Sequence, residues 1–318
     1  MNVAIGIDLG GTNIKYGLIT EKGDVIKKIS LPTRRNSGER QILSDIAAEV
    51  VRLQQEFMGQ NTYKMLGIGV GIPGPVRADG YVETCVNLNF KKINPAEALS
   101  EMLKDMPIVV GNDANVAALG EMWLGGGKGY KNILVVTLGT GVGCGVVLNG
   151  RIVFGKAGLA GEIGHIIVNP NEVDQCNCGK RGCLDQFASA EGIVRNAKRI
   201  LEFSSMSSEL RNIPKDELTA EKIVNIAKNG DGLAYFILDY CMSFLGKCLA
   251  DTAYVIDPDV FVIGGGVSKA GAFLTDMIQK HYEKQISLSE ERTPVIVAQL
   301  GNDAGIYGAA RMVFDKET

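Results

Sequence analysis

Apolar and polar positions follow two periods along this chain. Short runs rich in Val, Ile and Leu occur at 3–9 (VAIGIDL), 14–20 (IKYGLIT), 66–72 (LGIGVGI), 107–113 (PIVVGND), 132–139 (NILVVTLG), 144–153 (CGVVLNGRIV), 260–266 (VFVIGGG) and 294–301 (PVIVAQLG). Their length and β-branched content predict strands, several of them apolar on both faces. Between them, apolar residues recur at helical spacing over 38–57, 94–104, 114–124, 189–202, 219–229, 232–255, 270–285 and 304–314. Strands alternating with helices predict an α/β protein whose sheets are covered on both sides.

A repeat lies within this pattern. IDLGGTNIKYGLI near the start and VTLGTGVGCGVVL near the middle both join two apolar strands through a Leu-Gly turn containing Gly and Thr. Two glycine-tipped hairpins, one per half, imply two related lobes facing a common cleft. The first lobe is expected over 1–112 and the second over 113–301, with a final helix at about 302–318, rich in small residues (AGIYGAA), returning to the first lobe.

Composition narrows the chemistry. The chain has 33 basic and 36 acidic residues in 318, a formal net charge of -3, which gives no electrostatic footprint for nucleic acid or an anionic membrane. The start, MNVAIGIDLGG, does not read as a secretory signal, and no run approaches the roughly 20 consecutive apolar residues of a membrane span. Seven cysteines, with Cys85, Cys144, Cys241 and Cys248 standing singly among apolar residues, suggest reduced thiols and a cytoplasmic location.

Glycines at a hairpin tip let backbone N–H groups form a concave nest for phosphate oxygens. In DLGGTNIK the tip is Gly10-Gly11-Thr12, with Lys15 offering positive charge and Asp8 a carboxylate able to orient hydrated Mg²⁺. In TLGTGVG it is Gly139-Thr140-Gly141. Either hairpin alone reads more readily as a structural turn, and the pair points to phosphate. Neither is a Walker loop or a dinucleotide fingerprint, since each tip joins two strands rather than opening a helix. A third cluster, Gly264-Gly265-Gly266, follows a strand and precedes a helix. It reads either as a tight turn or as room for a nucleotide base and ribose.

In VVGNDANVAALGE a buried strand ends in Asn112-Asp113 and a helix begins. Either residue suits a helix cap, yet strand ends in α/β proteins also carry functional groups. A carboxylate at 113 is suited to accept the proton of an attacking hydroxyl in phosphoryl transfer. His165, Cys176, Cys178 and Cys183 form H-x10-C-x-C-x4-C, four ligands that close a tetrahedral, structural Zn²⁺ site. That loop also carries Glu162 and Asp185, placed to hydrogen-bond the hydroxyls of a polyol.

Taken together, DLGGTNIK, GIPGPV, VNLNF, GNDANVAALGE, LGTGVGCGVVLNG, GLAGEIGHI, CNCGKRGCLDQFAS, DPDVFVIGGGVS and LGNDAGIYGAA resemble the ROK family of sugar kinases and repressors, in particular its bacterial ATP-dependent glucokinases. The resemblance implies a two-lobed, actin-like fold of the hexokinase and ribonuclease H-like kind with an interlobe cleft, a homodimer, and ATP with Mg²⁺. It makes Asp113 the base acting on a hexose 6-hydroxyl. Gly74, Asn87, Asn112, Glu162, His165 and Asp185 become sugar contacts. Asp8, Gly10, Gly11, Thr12, Asn13, Lys15, Thr137, Gly139, Thr140, Gly141, Gly264, Gly265 and Gly266 would line the nucleotide site.

One departure stands out. The family has Glu where this chain has Asp185, one methylene shorter and so withdrawn by roughly 1.5 Å. Glucose is the expected substrate, with mannose, N-acetylmannosamine, N-acetylglucosamine, fructose and allose as alternatives. The family's repressors carry an N-terminal DNA-binding extension, whereas the first phosphate-type strand here begins at Val3, which makes the repressor reading the weaker one.

Overall fold

Along the first strand, large residues and small ones alternate, and the fold uses both faces. The computed structural model describes residues 1–57, 62–104 and 106–316. In it β1 (Asn2–Leu9) pairs antiparallel with β2 (Asn13–Thr20) and parallel with β4 (Lys64–Ile72). β3 (Val25–Pro32) joins the free side of β2 and β7 (Ile108–Asn112) the free side of β4, giving the order β3-β2-β1-β4-β7. Val3, Ile5, Ile7 and Leu9 project into a core shared with Ile42, Leu43, Ile46 and Val50 of α1 (Glu39–Phe57) and Leu99 of α2 (Pro95–Leu103). On the other face Ala4 packs with Ile306, Ala310 and Val313 of α9 (Ala304–Lys316).

Glycine sets how close α9 comes. A Cβ on Gly6 would lie 1.9 Å from the Ile306 carbonyl oxygen, and one on Gly69 would lie 1.8 Å from that of Ala309. The helix therefore rests on the sheet backbone itself.

The same order of steps recurs in a second sheet. β8 (Ile133–Leu138), β9 (Val142–Leu148), β10 (Arg151–Ile152), β11 (Val260–Gly264) and β12 (Val295–Val297) are arranged β10-β9-β8-β11-β12, with β11 parallel to both β8 and β12. α3 (Asp113–Leu124) precedes β8, and between the strands of this sheet lie α4 (Asp185–Ala188), α5 (Ala190–Phe203), α6 (Ala220–Lys228), α7 (Gly232–Ile256) and α8 (Ala272–Glu283). Side-chain caps fix several starts, with Asn94, Ser189, Thr219 and Asp231 accepting from the first-turn amides of α2, α5, α6 and α7.

Two compact units emerge, Met1–Lys131 with Gly145–Ala160 and Leu300–Thr318, and Asn132–Cys144 with Gly161–Gln299. This differs from the expected division after residue 112. The reason is α3, which packs backbone to backbone on α9: a Cβ on Gly308 would sit 1.7 Å from the Val116 carbonyl oxygen. Of the expected terminal helix, positions 317 and 318 lie outside the described residues.

Other differences are local. The expected strand 144–153 folds back at Asn149-Gly150, both at positive φ (51° and 76°), the turn that a two-residue hairpin requires. By length and composition alone α7, at 25 residues, is apolar enough to cross a membrane, although Asp239, Lys247 and Asp251 interrupt its apolar run. It packs against α5, α6 and α8 and buries Leu238, Leu245 and Leu249 fully, as a core helix does. Cys85, Cys144, Cys241 and Cys248 are buried.

Candidate active site

In the first unit the β1–β2 register places Asp8 opposite Lys15, and their side chains meet at 3.1 Å (Nζ···Oδ2). Lys15 also donates to the Asn302 carbonyl at 2.9 Å, and a Cβ on Gly305 would lie 2.8 Å from the Asp8 carboxyl carbon. The acid is thus held against the start of α9. The tip is pinned from β3 by the Thr33 hydroxyl donating to the Gly10 carbonyl (2.6 Å) and the Thr33 amide donating to that of Thr12 (2.8 Å). Thr12 and Asn13 are exposed, and a Cβ on Gly11 would meet nothing nearer than the Asn87 carbonyl at 3.7 Å. Gly11 and Asn87 are therefore neighbours.

At the end of β7, Asn112 is the cap of α3. Its Oδ1 accepts from the Asn115 amide at 3.0 Å, while its Nδ2 donates to the Gly74 carbonyl (2.9 Å) and to Asp113 Oδ1 (3.0 Å). Asp113 Oδ1 also accepts from the Ala114 amide at 2.9 Å. Gly74 has φ 87° and would bring a Cβ within 3.3 Å of the Thr84 carbonyl. Three sequence-identified positions, Gly74, Asn112 and Asp113, thus form one hydrogen-bonded group with the start of α3.

In the second unit Gly264 pairs with Thr137 across the β11–β8 ladder, and Gly265 (φ 84°) would place a Cβ 2.5 Å from the Leu138 carbonyl. The third glycine cluster therefore lies beside the strand end that leads into Gly139-Thr140-Gly141. Nothing stands within 4 Å of a Cβ on Gly266. Gly139 accepts from the Ala190 amide at 2.8 Å, and the Val142 amide donates to Asp185 Oδ1. Glu162 is half-buried, and its carboxyl is pushed up by that burial; His165 pulls it back down and the Asp185 charge raises it again.

Cys176, Cys178, Cys183 and His165 converge, with all four ligand atoms within 4.8 Å of one another. His165 Nδ1 lies 4.0 Å from Cys176 Sγ, and Cys178 and Cys183 sulfurs are 3.6 Å apart. Burial would raise the Cys178 thiol, but the Lys180 amide and the two neighbouring thiols outweigh it and hold Cys178 below the ordinary range. Cys183 is pushed up to about 12 by burial and by the neighbouring Cys178 and Cys176 thiols. One thiolate is favoured and the next is resisted, a conflict that a divalent cation relieves. The donor set fits tetrahedral zinc. Beneath the loop, buried Glu172 accepts from the Val173 and Asp174 amides (2.9 and 3.0 Å) and pairs with Arg195 (2.9 Å) and Arg199 (3.0 Å) of α5. Gln186 Oε1 accepts from the Gly182 and Cys183 amides at 2.8 and 3.2 Å.

A cavity of about 480 Å³ adjoins Thr140 and is lined by Glu191, Val194 and Lys198 of α5 and by Leu218 ahead of α6. These residues carry no motif and escaped the sequence reading. The signal for three of them is the helical i, i+3, i+7 spacing of Glu191, Val194 and Lys198.

Two α/β units with the same strand order, each bearing a glycine-tipped hairpin, are the architecture of the actin-like sugar kinases. The chain belongs to the ROK family, whose model matches residues 4–316. A glucokinase of Halalkalibacterium halodurans is 40% identical over 318 residues, covering 98% of this chain and 95% of the relative. The crystal structure of a ROK family glucokinase from Streptomyces griseus in complex with glucose and AMPPNP aligns with a TM-score of 0.78 at 30% identity, over 98% of this chain and 99% of that one. A ROK hexokinase from Thermus thermophilus aligns with a TM-score of 0.82 at 29% identity, over 99% of both chains.

Proposed function

We propose that this chain is an ATP-dependent hexose kinase that phosphorylates the 6-hydroxyl of its sugar, glucose before other hexoses. The observation that carries the reading is the match over nearly the whole chain to a glucokinase structure holding glucose and an ATP analogue. Asp113 acts as the base. Held by Asn112 and the Ala114 amide, it takes the 6-hydroxyl proton as that oxygen attacks the γ-phosphorus. The bond from the γ-phosphorus to the β,γ-bridging oxygen breaks, and ADP leaves with the electron pair.

Gly74, Asn87, Asn112, Glu162, His165 and Asp185 position the sugar, His165 through the ring nitrogen not turned to the metal. Gly10, Gly11, Thr12 and Asn13, with Thr137, Gly139, Thr140, Gly141 and Gly264–Gly266, receive the nucleotide. Magnesium arriving with ATP would neutralise phosphate charge, and Asp8, balanced by Lys15, is the carboxylate suited to its water shell. Zinc on His165, Cys176, Cys178 and Cys183 would be structural. A cytoplasmic homodimer completes the reading. The test is a coupled ADP-release assay across glucose, mannose, N-acetylmannosamine, N-acetylglucosamine, fructose and allose. Glucose is expected to give the highest kcat/KM, and ADP release independent of any sugar would defeat the proposal.

A further inference from the structure

We infer that Glu121, buried within α3, is a positioning residue for Asp8: it holds the turn before α9 against which Asp8 and Lys15 are built. The inference rests on the kinase reading for the magnesium that Asp8 serves; the tether itself is geometry. Glu121 is 1% exposed. Its Oε2 accepts from the Gly126 amide at 2.8 Å, closing the end of its own helix, and a Cβ on Gly125 would lie 2.0 Å from that oxygen. Glycine at 125 therefore leaves the carboxylate its space. The other oxygen, Oε1, meets a partner 179 positions along the chain, accepting from the Leu300 amide at 2.8 Å. Hydrogen bonds to a carboxylate are stronger than neutral ones.

The stretch that Leu300 opens, residues 300–305, is clasped from two sides. On the α3 side Gly120, next to Glu121, runs against it: a Cβ on Gly120 would lie 2.3 Å from the Ala304 carbonyl oxygen. On the sheet side Lys15 donates to the Asn302 carbonyl at 2.9 Å and pairs with Asp8 at 3.1 Å, while Lys28 of β3 pairs with Asp303. A Cβ on Gly305 would lie 2.8 Å from the Asp8 carboxyl carbon. The place of Asp8 is thus set by a turn whose first amide Glu121 holds. The start of α3 has support of its own, from Gly308 packed on the Val116 carbonyl and from the Asn112 cap. Loss of the Glu121 tether therefore moves the turn and Asp8 while Asn112 and Asp113 stay in place. The defect falls on magnesium and not on the sugar.

Two variants test the assignment: Glu121→Met, of similar size with neither acceptor, and Glu121→Gln, which keeps one. The readouts are amide hydrogen exchange at Leu300 and Gly126, the magnesium concentration that half-saturates AMPPNP binding in calorimetry, and the Kd for glucose. In Glu121→Met both amides are expected to exchange about tenfold faster or more and the magnesium requirement to rise about tenfold, the loss of a charge-assisted hydrogen bond. Glucose Kd stays within about twofold. Glu121→Gln separates the two bonds, because its side-chain nitrogen cannot accept. The magnesium requirement is expected to follow Leu300: raised about tenfold where that amide is the one released, and normal where only Gly126 is. This variant decides the matter even where the methionine one does not fold. A magnesium requirement unchanged while Leu300 exchanges fast, or a rise matched in glucose Kd, marks a role in folding alone and overturns the inference. Unaltered Leu300 exchange in both variants overturns it too. Failure of the wild-type chain to bind AMPPNP with magnesium would instead sink the kinase reading, with the exchange experiment still deciding the tether.

Discussion

The side-chain amide of Asn112 donates to the carboxylate of Asp113, Nδ2 to Oδ1 at 3.0 Å, while its carbonyl oxygen caps the helix that Asp113 begins. One residue thereby fixes the helix start and the rotamer of the acid beside it. Asp113→Asn keeps the shape and removes the proton acceptor. We expect kcat to fall by about 10²- to 10⁴-fold, the range of a positioned general base, with glucose affinity within about threefold. Unchanged turnover would remove Asp113 from the chemistry.

What the sequence made legible follows from how strongly each segment is constrained. All eight helices read from periodicity are present, because each buries a stripe that repeats at 3.6 residues. β3 carries no such signal: VIKKISLP is an edge strand with four exposed positions and a polar centre, so burial imposes no apolar run. β5 (Val82–Cys85) and β6 (Phe90–Ile93), four residues each, are too short to show alternation. The zinc-type ligands and the Asn112–Asp113 pair were legible since chemistry restricts those positions to few residue types. The backbone amide that Asp185 meets has no signature in the sequence, because Val142 stands 43 positions away.

Four ligand atoms within 4.8 Å of one another predict about one zinc per chain by atomic absorption, with most of it lost in Cys178→Ser or Cys183→Ser. The loop is also held by Glu172 and Gln186, so chelation should loosen it without unfolding the chain. A fall in Tm of roughly 5–10 °C is expected, as about 2–3 kcal/mol produces in a domain of this size class. A metal-free protein of unaltered Tm would refute the structural site.

Glu172 gives the loop a pH dependence whose sign is fixed. Its side chain is 2% exposed. Burial pushes its carboxyl up, but the Asp174 amide and the Arg199 and Arg195 guanidinium groups outweigh this and hold it below the ordinary 4.5. A carboxyl lowered on folding stabilises above its unfolded value and loses that contribution as pH falls through its folded one. Glu172→Gln should cost about 2–3 kcal/mol at neutral pH, the scale of hydrogen bonds to charged groups. Urea denaturation should show that gap narrowing below about pH 4.5, and a gap constant down to about pH 3 would assign it to packing alone.

Some glycines in this chain let helices approach and others leave space for a ligand, and one substitution of each kind separates the two roles. A Cβ on Gly69 would fall 1.8 Å from the Ala309 carbonyl oxygen and 2.4 Å from its carbon, backbone atoms of α9 that have no rotamer to move into. Gly69→Ala should therefore force α9 off the sheet and cost about 3 kcal/mol or more. At Gly11 the nearest atom to a Cβ is 3.7 Å away, an ordinary contact, and its φ is not in the left-handed region. Gly11→Ala should leave stability within about 0.5 kcal/mol while raising KM for ATP several-fold, because the methyl group occupies room that a phosphate would take. Urea midpoints and ATP titrations on the two variants decide this, and the division fails if Gly69→Ala is as stable as the parent chain or Gly11→Ala binds ATP as tightly.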